Sequence, residues 1–230
     1  MAKFNVHAGH GKQDSKSCGA IGLIKESVEN RLVKDEVIRL LKVEGHTVYD
    51  CTVDYPTSAS DCVNQQITNC NKNAVDLDIS IHFNAGRKDA TGDNKTGGVE
   101  VLVANTTGTK QNYAKRVCTS IAKLGYNNRG VKVTTSLGYL NKVKNQCILI
   151  ECCFVDDKDD IKLYNYKTMA KAIVEGILDK TISNTTTTSD KTLYYQVVCG
   201  SYQSKENAEN MKAKLEKAGF SGVFLEANYK

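Results

Sequence analysis

The segment that most constrains the fold is residues 147–155, with the sequence CILIECCFV. It is an almost continuous apolar run, which is typical of a central strand in a parallel sheet, where both faces are buried. An ionised carboxylate inside such a run costs several kcal/mol of folding free energy unless it is paired or bound to a metal. The run therefore predicts a buried strand, and Glu151 within it predicts a functional site.

Strand and helix patterns alternate along the chain up to about residue 180. Apolar and polar residues alternate in the stretch DLDISIHF, residues 76–83, as expected for a strand. Further strands are predicted at residues 3–9, 46–53 and 97–105, and helices at residues 25–45, 58–72, 109–124 and 158–179. This alternation favours a three-layer α/β domain over residues 1–180, with a mostly parallel sheet flanked by helices.

The composition changes after Lys180. Residues 181–192, TISNTTTTSDKT, are polar and without periodicity, which predicts a linker. Residues 193–230 then read as strand, helix and strand. A βαβ segment of this length is too short to bury an independent core, so we expect it to pair with a partner surface or with a second copy in a homodimer.

Charge and hydropathy exclude several classes of protein. The net charge of +5 is mild and the basic residues do not cluster, so no nucleic-acid partner is expected. Because no apolar stretch approaches the ~20 residues of a spanning helix, stable membrane insertion is not expected either. The N-terminal residues lack the apolar core of a secretory signal, which indicates synthesis in the cytoplasm without a signal peptide. The nine cysteines favour buried thiols over a disulfide framework.

Four acidic or imidazole side chains are predicted to converge at one edge of the sheet. Ligands of open α/β sheets bind outside the carboxyl ends of the strands. His10 follows the first strand, Glu26 opens the first helix, His82 ends the strand of residues 76–83, and Glu151 interrupts the apolar run. Two histidines and a glutamate form a hydrolytic zinc set, and a second glutamate can carry a proton. On spacing alone, His7 competes evenly with His10 as a ligand.

Six segments, in this order along the chain, carry a family resemblance: HAGHG, GLIKESVENRLV, AVDLDISIHFNAG, TGGVEVLV, NNRGVK and CILIECCFVDDKDD. They resemble the zinc-dependent N-acetylmuramoyl-L-alanine amidases over roughly residues 3–180. That family reads Asp-Pro-Gly-His-Gly-Gly at the first turn, where this chain reads His-Ala-Gly-His-Gly-Lys. The resemblance implies an α/β sheet flanked by helices and a peptidoglycan substrate.

The resemblance also implies a role for each of the four converging residues. His10, Glu26 and His82 match the family's zinc ligands, which favours His10 over His7. Glu151 matches the catalytic glutamate, which would take a proton from the attacking water and return it to the departing alanine nitrogen. The bond cleaved would join N-acetylmuramic acid to the L-alanine of the stem peptide.

Two further residues are candidate substrate-binding groups, Asn84 and Arg129. For Arg129 a surface ion pair explains the residue equally well. Other functions also stay open at this point. A zinc carboxypeptidase or another metallohydrolase would use a similar set of residues, whereas a non-catalytic peptidoglycan-binding protein would keep the fold but lose the metal.

The tail has a resemblance of its own. Residues 193–230 are similar to one βαβ half of a SPOR-type peptidoglycan-binding repeat, which implies affinity for glycan strands. Together with the absence of a signal peptide, this favours a phage or prophage endolysin that is released to the cell wall at lysis. A bacterial amidase of sporulation or a cell-wall autolysin is the alternative.

Overall fold

The structure is a computed structural model that describes residues 1–183 and 204–220. The chain divides into two compact units, Met1–Asn184 and Thr185–Lys230. In the second unit the described element is a helix, Lys205–Lys217 (α7), which begins at the cap formed by the Ser204 side chain. The strands predicted on either side of this helix lie outside the described residues.

The first unit is built from alternating strands and helices. Its strands are β1 (Lys3–Ala8), β2 (Thr47–Asp50), β3 (Leu77–Asn84), β4 (Val99–Val103), β5 (Asn128–Val133) and β6 (Cys147–Phe154). Its helices are α1 (Glu26–Val43), α2 (Ala59–Cys70), α3 (Lys110–Ala122), α4 (Gly138–Lys142), α5 (Lys158–Leu163) and α6 (Tyr166–Leu178). Within the described residues, no helix combines the length and the apolar content needed to cross a bilayer.

The strands form one six-stranded sheet in the order β2-β1-β3-β6-β4-β5. All neighbouring pairs are parallel except β4 and β6, which are antiparallel. The prediction of a mostly parallel α/β sheet is therefore confirmed. The reversal of β4 places the amino ends of β4 and β5 at the same edge of the sheet as the carboxyl ends of β1, β3 and β6.

Helices cover both faces of the sheet, which makes three layers. One face is apolar throughout, with side chains such as Val6, Ile79 and Ile150 packed under α1, α3 and α6. Each fully buried side chain of this size contributes about 1.5–3 kcal/mol to folding. The other face packs residues such as Leu149 against α2 and α4 and becomes polar towards the edge where β3 and β6 end. That polar edge carries the candidate site.

Three details of the helices and strands differ from the sequence prediction, the first being the five-residue helix α4, which was not predicted. The single helix expected at residues 158–179 is two helices, because the Asn165 side chain accepts hydrogen bonds from the backbone N–H groups of Lys167 and Thr168 and starts a new helix there. Strand β5 was not predicted. It lies at the sheet edge with every residue at least partly exposed, so it shows no apolar periodicity.

The first unit extends beyond residue 180. Ile182 is 2% exposed and belongs to the same core as Ile173 on α6. Its backbone N–H also donates a hydrogen bond of 3.1 Å to Glu175 Oε1. Residues 181–183, which were expected in the linker, thus pack onto the first unit.

The position of Ile182 predicts how the chain responds to truncation. A protein ending at residue 180 loses this buried side chain, which should lower its free energy of unfolding by about 2–5 kcal/mol relative to a protein ending at residue 184. Calorimetry on the two truncated proteins measures the difference. Equal unfolding temperatures would show that Ile182 adds nothing to the core.

Candidate active site

Glu26 lies at the centre of a compact group of side chains. It opens α1 and is 2% exposed. Its Oε2 accepts a hydrogen bond from the backbone N–H of Ala20 at 2.8 Å, and its Oε1 accepts one from the backbone N–H of Phe83 at 3.0 Å. The same carboxylate lies between two imidazoles, with His82 Nδ1 at 3.1 Å from Oε1 and His10 Nε2 at 3.4 Å from Oε2.

The turn after β1 brings His10 close to His82. The two rings lie 4.9 Å apart between centroids, at an interplanar angle of 77°. Gly9 is required for this approach, because a Cβ at that position would overlap the His82 ring. His10 itself adopts a left-handed backbone conformation, with φ of 61°. The first glycine of the Gly-His-Gly sequence is thus explained by close packing of the turn against β3, and the second, Gly11, by its close approach to Ser15 and Pro56.

Side chains of α1 hold this turn in place. Asn30, fully buried, donates a hydrogen bond of 2.6 Å to the Gly9 carbonyl oxygen. Arg31 donates to the carbonyl oxygens of His10 and Gly11, each at 3.3 Å. From the sequence, Asn30 fits two roles equally well, orientation of Glu26 one turn away or a solvated helix face, and Arg31 was not identified as part of the site. They fix the backbone that carries His10.

The charges of the three central residues are coupled. Burial raises the pKa of Glu26, but the hydrogen bond and charge of His82, together with His10 and the Ala20 N–H, outweigh it, so the pKa is lowered overall. Burial and the neighbouring His82 lower the pKa of His10. For His82, burial is outweighed by Glu26 and Glu151, and its pKa is raised. Glu26 is therefore an anion at neutral pH, and His10 is a neutral imidazole.

These three residues form a group that could hold a metal ion, because their ligand atoms all lie within 4.8 Å of one another. A tetrahedral zinc ion with bonds of about 2.0–2.1 Å has ligand-to-ligand edges of about 3.3–3.4 Å. Each imidazole lies at a similar distance from the Glu26 carboxylate, His82 at 3.1 Å from Oε1 and His10 at 3.4 Å from Oε2. Two imidazoles and one carboxylate are also the donors of hydrolytic zinc sites, so the residues fit this ion.

A second group of carboxylates, Asp89, Asp93 and Asp159, also meets the geometric criterion for a cation site. Its oxygens already accept hydrogen bonds from backbone N–H groups of the loop, at Gly92, Asp93, Lys95 and Asn94. These bonds account for the clustering of the carboxylates. The group joins the loop between β3 and β4 to Asp159 on α5 and is a structural feature.

Glu151 lies beside the histidine–glutamate group. It pairs in register with His82 across β3 and β6, so both side chains are on the same face. Its Oε2 is buried without a hydrogen-bond partner among the described residues. Burial, with added repulsion from Glu26 and Glu100 and opposed by His82, raises the pKa of Glu151 to about 7. A carboxyl group with such a pKa can accept and release a proton near neutral pH.

The two candidate substrate-binding residues meet at a carboxylate that sequence analysis missed. Glu100 pairs in register with Glu151 on the opposite side of β6 from His82. Its Oε1 accepts a hydrogen bond of 2.9 Å from Asn84 Nδ2, and its Oε2 accepts one of 2.8 Å from Arg129 Nε. Arg129 thus forms an ion pair, as the alternative interpretation expected. Its partner, Glu100, is the register partner of Glu151, so the pair lies beside the candidate site. A lone charge between the buried Val99 and Val101 was the available signal for Glu100.

His7 lies apart from the metal-binding group. It is fully buried, with its ring centroid 4.7 Å from that of Tyr139 and its Nδ1 3.1 Å from the Ala8 carbonyl oxygen. Burial lowers the pKa of His7 to about 3, so it is a neutral residue of the interior. The structure brings His10, and not His7, to Glu26 and His82.

A cavity of about 120 Å³ adjoins the site. His10 and His82 line one end of it, and Ser80, Gln66 and Tyr139 line the space between the sheet and helices α2 and α4. The hydroxyl of Ser80 is buried without a hydrogen-bond partner among the described residues. The cavity gives a small group of a substrate room beside the two histidines.

Comparison with protein families gives two matches. Residues 5–182 match the family described as N-acetylmuramoyl-L-alanine amidase, and residues 164–226 match the SPOR domain. The second match confirms the predicted relationship of the tail. The two matches overlap on α6, whose Met169 and Ile173 are buried in the core of the first unit. That helix therefore belongs structurally to the first unit.

Similar proteins come from clostridia. An uncharacterised protein of Clostridium perfringens is 32% identical over 184 residues, which cover 78% of this chain and 52% of that protein. A second C. perfringens protein is 31% identical over 171 residues, which cover 72% of this chain and 46% of that protein. This chain therefore spans about half the length of the curated relatives it matches.

Two solved structures are similar over most of this chain. The catalytic domain of the CD27L endolysin, which targets Clostridioides difficile, aligns with a TM-score of 0.70 and 27% identity over 80% of this chain and 100% of that one. The CwlD amidase of C. difficile, solved with the GerS lipoprotein, aligns with a TM-score of 0.65 and 20% identity over 78% of this chain and 98% of that one. The second likeness shows the shared fold alone.

Proposed function

Because this chain belongs to the N-acetylmuramoyl-L-alanine amidase family, we propose that it hydrolyses the amide bond between N-acetylmuramic acid and the L-alanine of the peptidoglycan stem peptide. The observation that carries the proposal is the convergence of His10, Glu26 and His82 beside Glu151 at one edge of the sheet. The group combines a hydrolytic metal-binding set with a carboxyl group that can exchange protons at neutral pH.

We propose that the metal is zinc, held by His10, Glu26 and His82. The donor types, their spacing and the ionised state of Glu26 support this assignment. When bound, zinc supplies Lewis acidity that polarises a carbonyl group and acidifies water. Asn30 supports the site from behind by fixing the backbone of the turn that carries His10.

Glu151 is the proposed proton carrier. As water attacks the lactyl carbonyl carbon, the Glu151 carboxylate accepts a proton from it. The carbon–nitrogen bond then breaks, and Glu151 donates the proton to the departing nitrogen of L-alanine. The products are a lactyl carboxylate on the glycan strand and a stem peptide with a free amino terminus. In the metal-free protein burial raises the pKa of Glu151 to about 7, which supports a carboxyl group that can hold and give up a proton.

Digestion of purified cell walls tests the proposed function. Wall turbidity should fall in the presence of the zinc-loaded protein and should stay constant after treatment with a chelator. Mass analysis of the fragments should show stem peptides that begin with L-alanine. Released terminal D-alanine would instead indicate a zinc carboxypeptidase, and unchanged walls would indicate a non-catalytic binding protein.

We propose that the tail binds peptidoglycan and joins two chains into a dimer. The match to the SPOR domain supports wall binding. None of the residues of α7 is buried, which supports a need for a partner surface.

Removing residues 185–230 is the matching test of the tail. The truncated protein should sediment with walls less than the full chain does, yet it should still cleave soluble wall fragments. Light scattering at tens of micromolar should find the full chain dimeric and the truncated protein monomeric. Unchanged sedimentation would contradict wall binding by the tail, and a monomeric full chain would contradict dimerisation.

We propose that the biological role is that of a phage or prophage endolysin released to the cell wall at lysis. The likeness to an endolysin catalytic domain at 27% identity supports this role. Deleting the gene from a lysogen should delay lysis after induction. Normal lysis combined with defective sporulation or wall turnover would favour a bacterial amidase instead.

A further inference from the structure

Polar side chains form a row across the strands at the edge that carries the site. His82 on β3, Glu151 on β6 and Glu100 on β4 are register partners, so their side chains share one face of the sheet. Neighbouring strands are about 4.8 Å apart. Strand β5 follows β4 in the sheet, so its backbone is two strand spacings, about 10 Å, from the backbone of Glu151 on β6.

A β-bulge aims Arg129 at this row. Val99 pairs with Asn128 and Val101 pairs with Val131, so two residues of β5 face Glu100. The second of the two, Gly130, has φ of 77°, which an L-residue with a side chain rarely adopts. Bulges of this kind re-aim a side chain beside a functional site.

The guanidinium of Arg129 is held along one edge. Its Nε donates to Glu100 Oε2 at 2.8 Å, and its Cζ lies 5.0 Å from the centroid of the Phe154 ring. The other oxygen of Glu100 is occupied by Asn84. Among the described residues, no hydrogen-bond partner is found for the two terminal amino groups of Arg129, and its side chain is 35% exposed. Arg129 therefore offers a pre-positioned pair of donors to a ligand.

The chemistry of these donors suits a carboxylate. Two terminal N–H groups of an arginine match the two oxygens of a carboxylate in a bidentate pair. Elsewhere in the row the charges of Glu100 and Glu151 repel an anion. An anionic group of a substrate is therefore stabilised at the outer end of the row, where Arg129 lies.

We propose that Arg129 binds the free α-carboxylate of the second stem residue, an assignment that rests on the proposed amidase function. In peptidoglycan this residue is a D-glutamate linked through its γ-carboxyl group, so its α-carboxylate is one residue beyond the L-alanine. At about 3.3–3.6 Å per residue, this carboxylate lies roughly 7 Å from the scissile nitrogen. Glu100 is the register partner of Glu151 one strand spacing away, about 4.8 Å, and Arg129 Nε lies 2.8 Å from the Glu100 carboxylate, so the guanidinium is placed at a comparable range from Glu151. Arg129 is thus a specificity-determining residue that distinguishes a free from an amidated stem.

Walls from two matched bacterial strains test the inference, one with D-isoglutamate and the other with D-isoglutamine at the second stem position. The zinc-loaded full chain should cleave the carboxylate form with a kcat/KM about tenfold to a hundredfold higher, as expected for a charge-assisted bidentate contact. Arg129→Gln should lose most of this preference by slowing cleavage of the carboxylate form alone. Arg129→Lys should keep part of it.

Arg39→Gln is the matched control. Arg39 is half exposed on α1 and pairs with Glu36, so its loss should leave the preference intact. Equal cleavage of both walls by the unmodified protein would overturn the inference, as would an Arg129→Gln protein that slows both walls equally. Cleavage of neither wall by the unmodified protein would instead count against the proposed amidase function.

Discussion

Replacing Glu151 with glutamine should lower kcat for wall hydrolysis by about 10²- to 10⁴-fold while zinc content stays unchanged. Glutamine has nearly the same shape, so it preserves the packing of the buried row, but its amide cannot accept the proton of the attacking water. Release of L-alanine amino termini measures the rate, and elemental analysis measures the metal. Glu36→Gln is the matched control, because Glu36 lies on α1 outside the candidate site and pairs with Arg39, so the variant should keep the unmodified rate.

Although the Glu151→Gln substitution should lower kcat, it should raise the stability of the metal-free protein above pH 7. Because the pKa of Glu151 is raised to about 7 in the folded protein, the stability that its protonated form contributes is present at low pH and is lost as pH rises through 7. In metal-free protein, the Glu151→Gln variant should therefore unfold at a higher temperature than the unmodified protein above pH 7. Near-normal hydrolysis by this variant with zinc in place would refute the assignment of Glu151.

Replacing His10 with alanine should reduce bound zinc from one ion per chain to almost none and abolish wall hydrolysis. The substitution leaves two of the three proposed zinc ligands, and the affinity of such a site depends on the complete set. Elemental analysis after dialysis against a weak chelator measures the loss.

His7→Phe is the control matched to this substitution. His7 is fully buried against Tyr139 and lies outside the metal-binding group, so a phenylalanine ring should keep zinc and activity. Loss of zinc from the His7 variant with retention by the His10 variant would reverse the ligand assignment. Circular dichroism of both variants separates loss of zinc from loss of fold.

Sequence periodicity identified the buried strands of the sheet but missed an exposed edge strand and a break between two helices. The strand around Ile79 was indicated by alternating apolar and polar residues, and the strand around Ile150 by a continuous apolar run. Every residue of strand β5 is at least partly exposed, so the strand leaves no such pattern. The break at Asn165 depends on one side-chain cap, which a helical apolar pattern on both sides of it conceals.

The residues of the candidate site could be predicted from the sequence, but the contacts between them could be predicted only in part. A strand end indicated His82, and a carboxylate inside an apolar run indicated Glu151. The choice of His10 over His7 depended on family resemblance, because both histidines flank the same turn. Glu100 was missed because its partnership with Glu151 depends on the antiparallel pairing of β4 with β6. The local sequence determines neither the direction nor the register of that pairing.

The reversal of β4 has a consequence for how substrate choice can evolve. Residues 85–98 enter β4 and residues 123–127 enter β5, and both loops open onto the rim where β1, β3 and β6 end. The proposed zinc ligands, by contrast, are anchored on the turn after β1, on α1 and on β3. Insertions in these two entry loops can therefore reshape the rim beside the site without displacing the proposed hydrolytic centre, because loops tolerate changes in length better than the elements they connect. The fold thus allows the loops beside the site to change between related proteins while the proposed metal-binding residues stay in place.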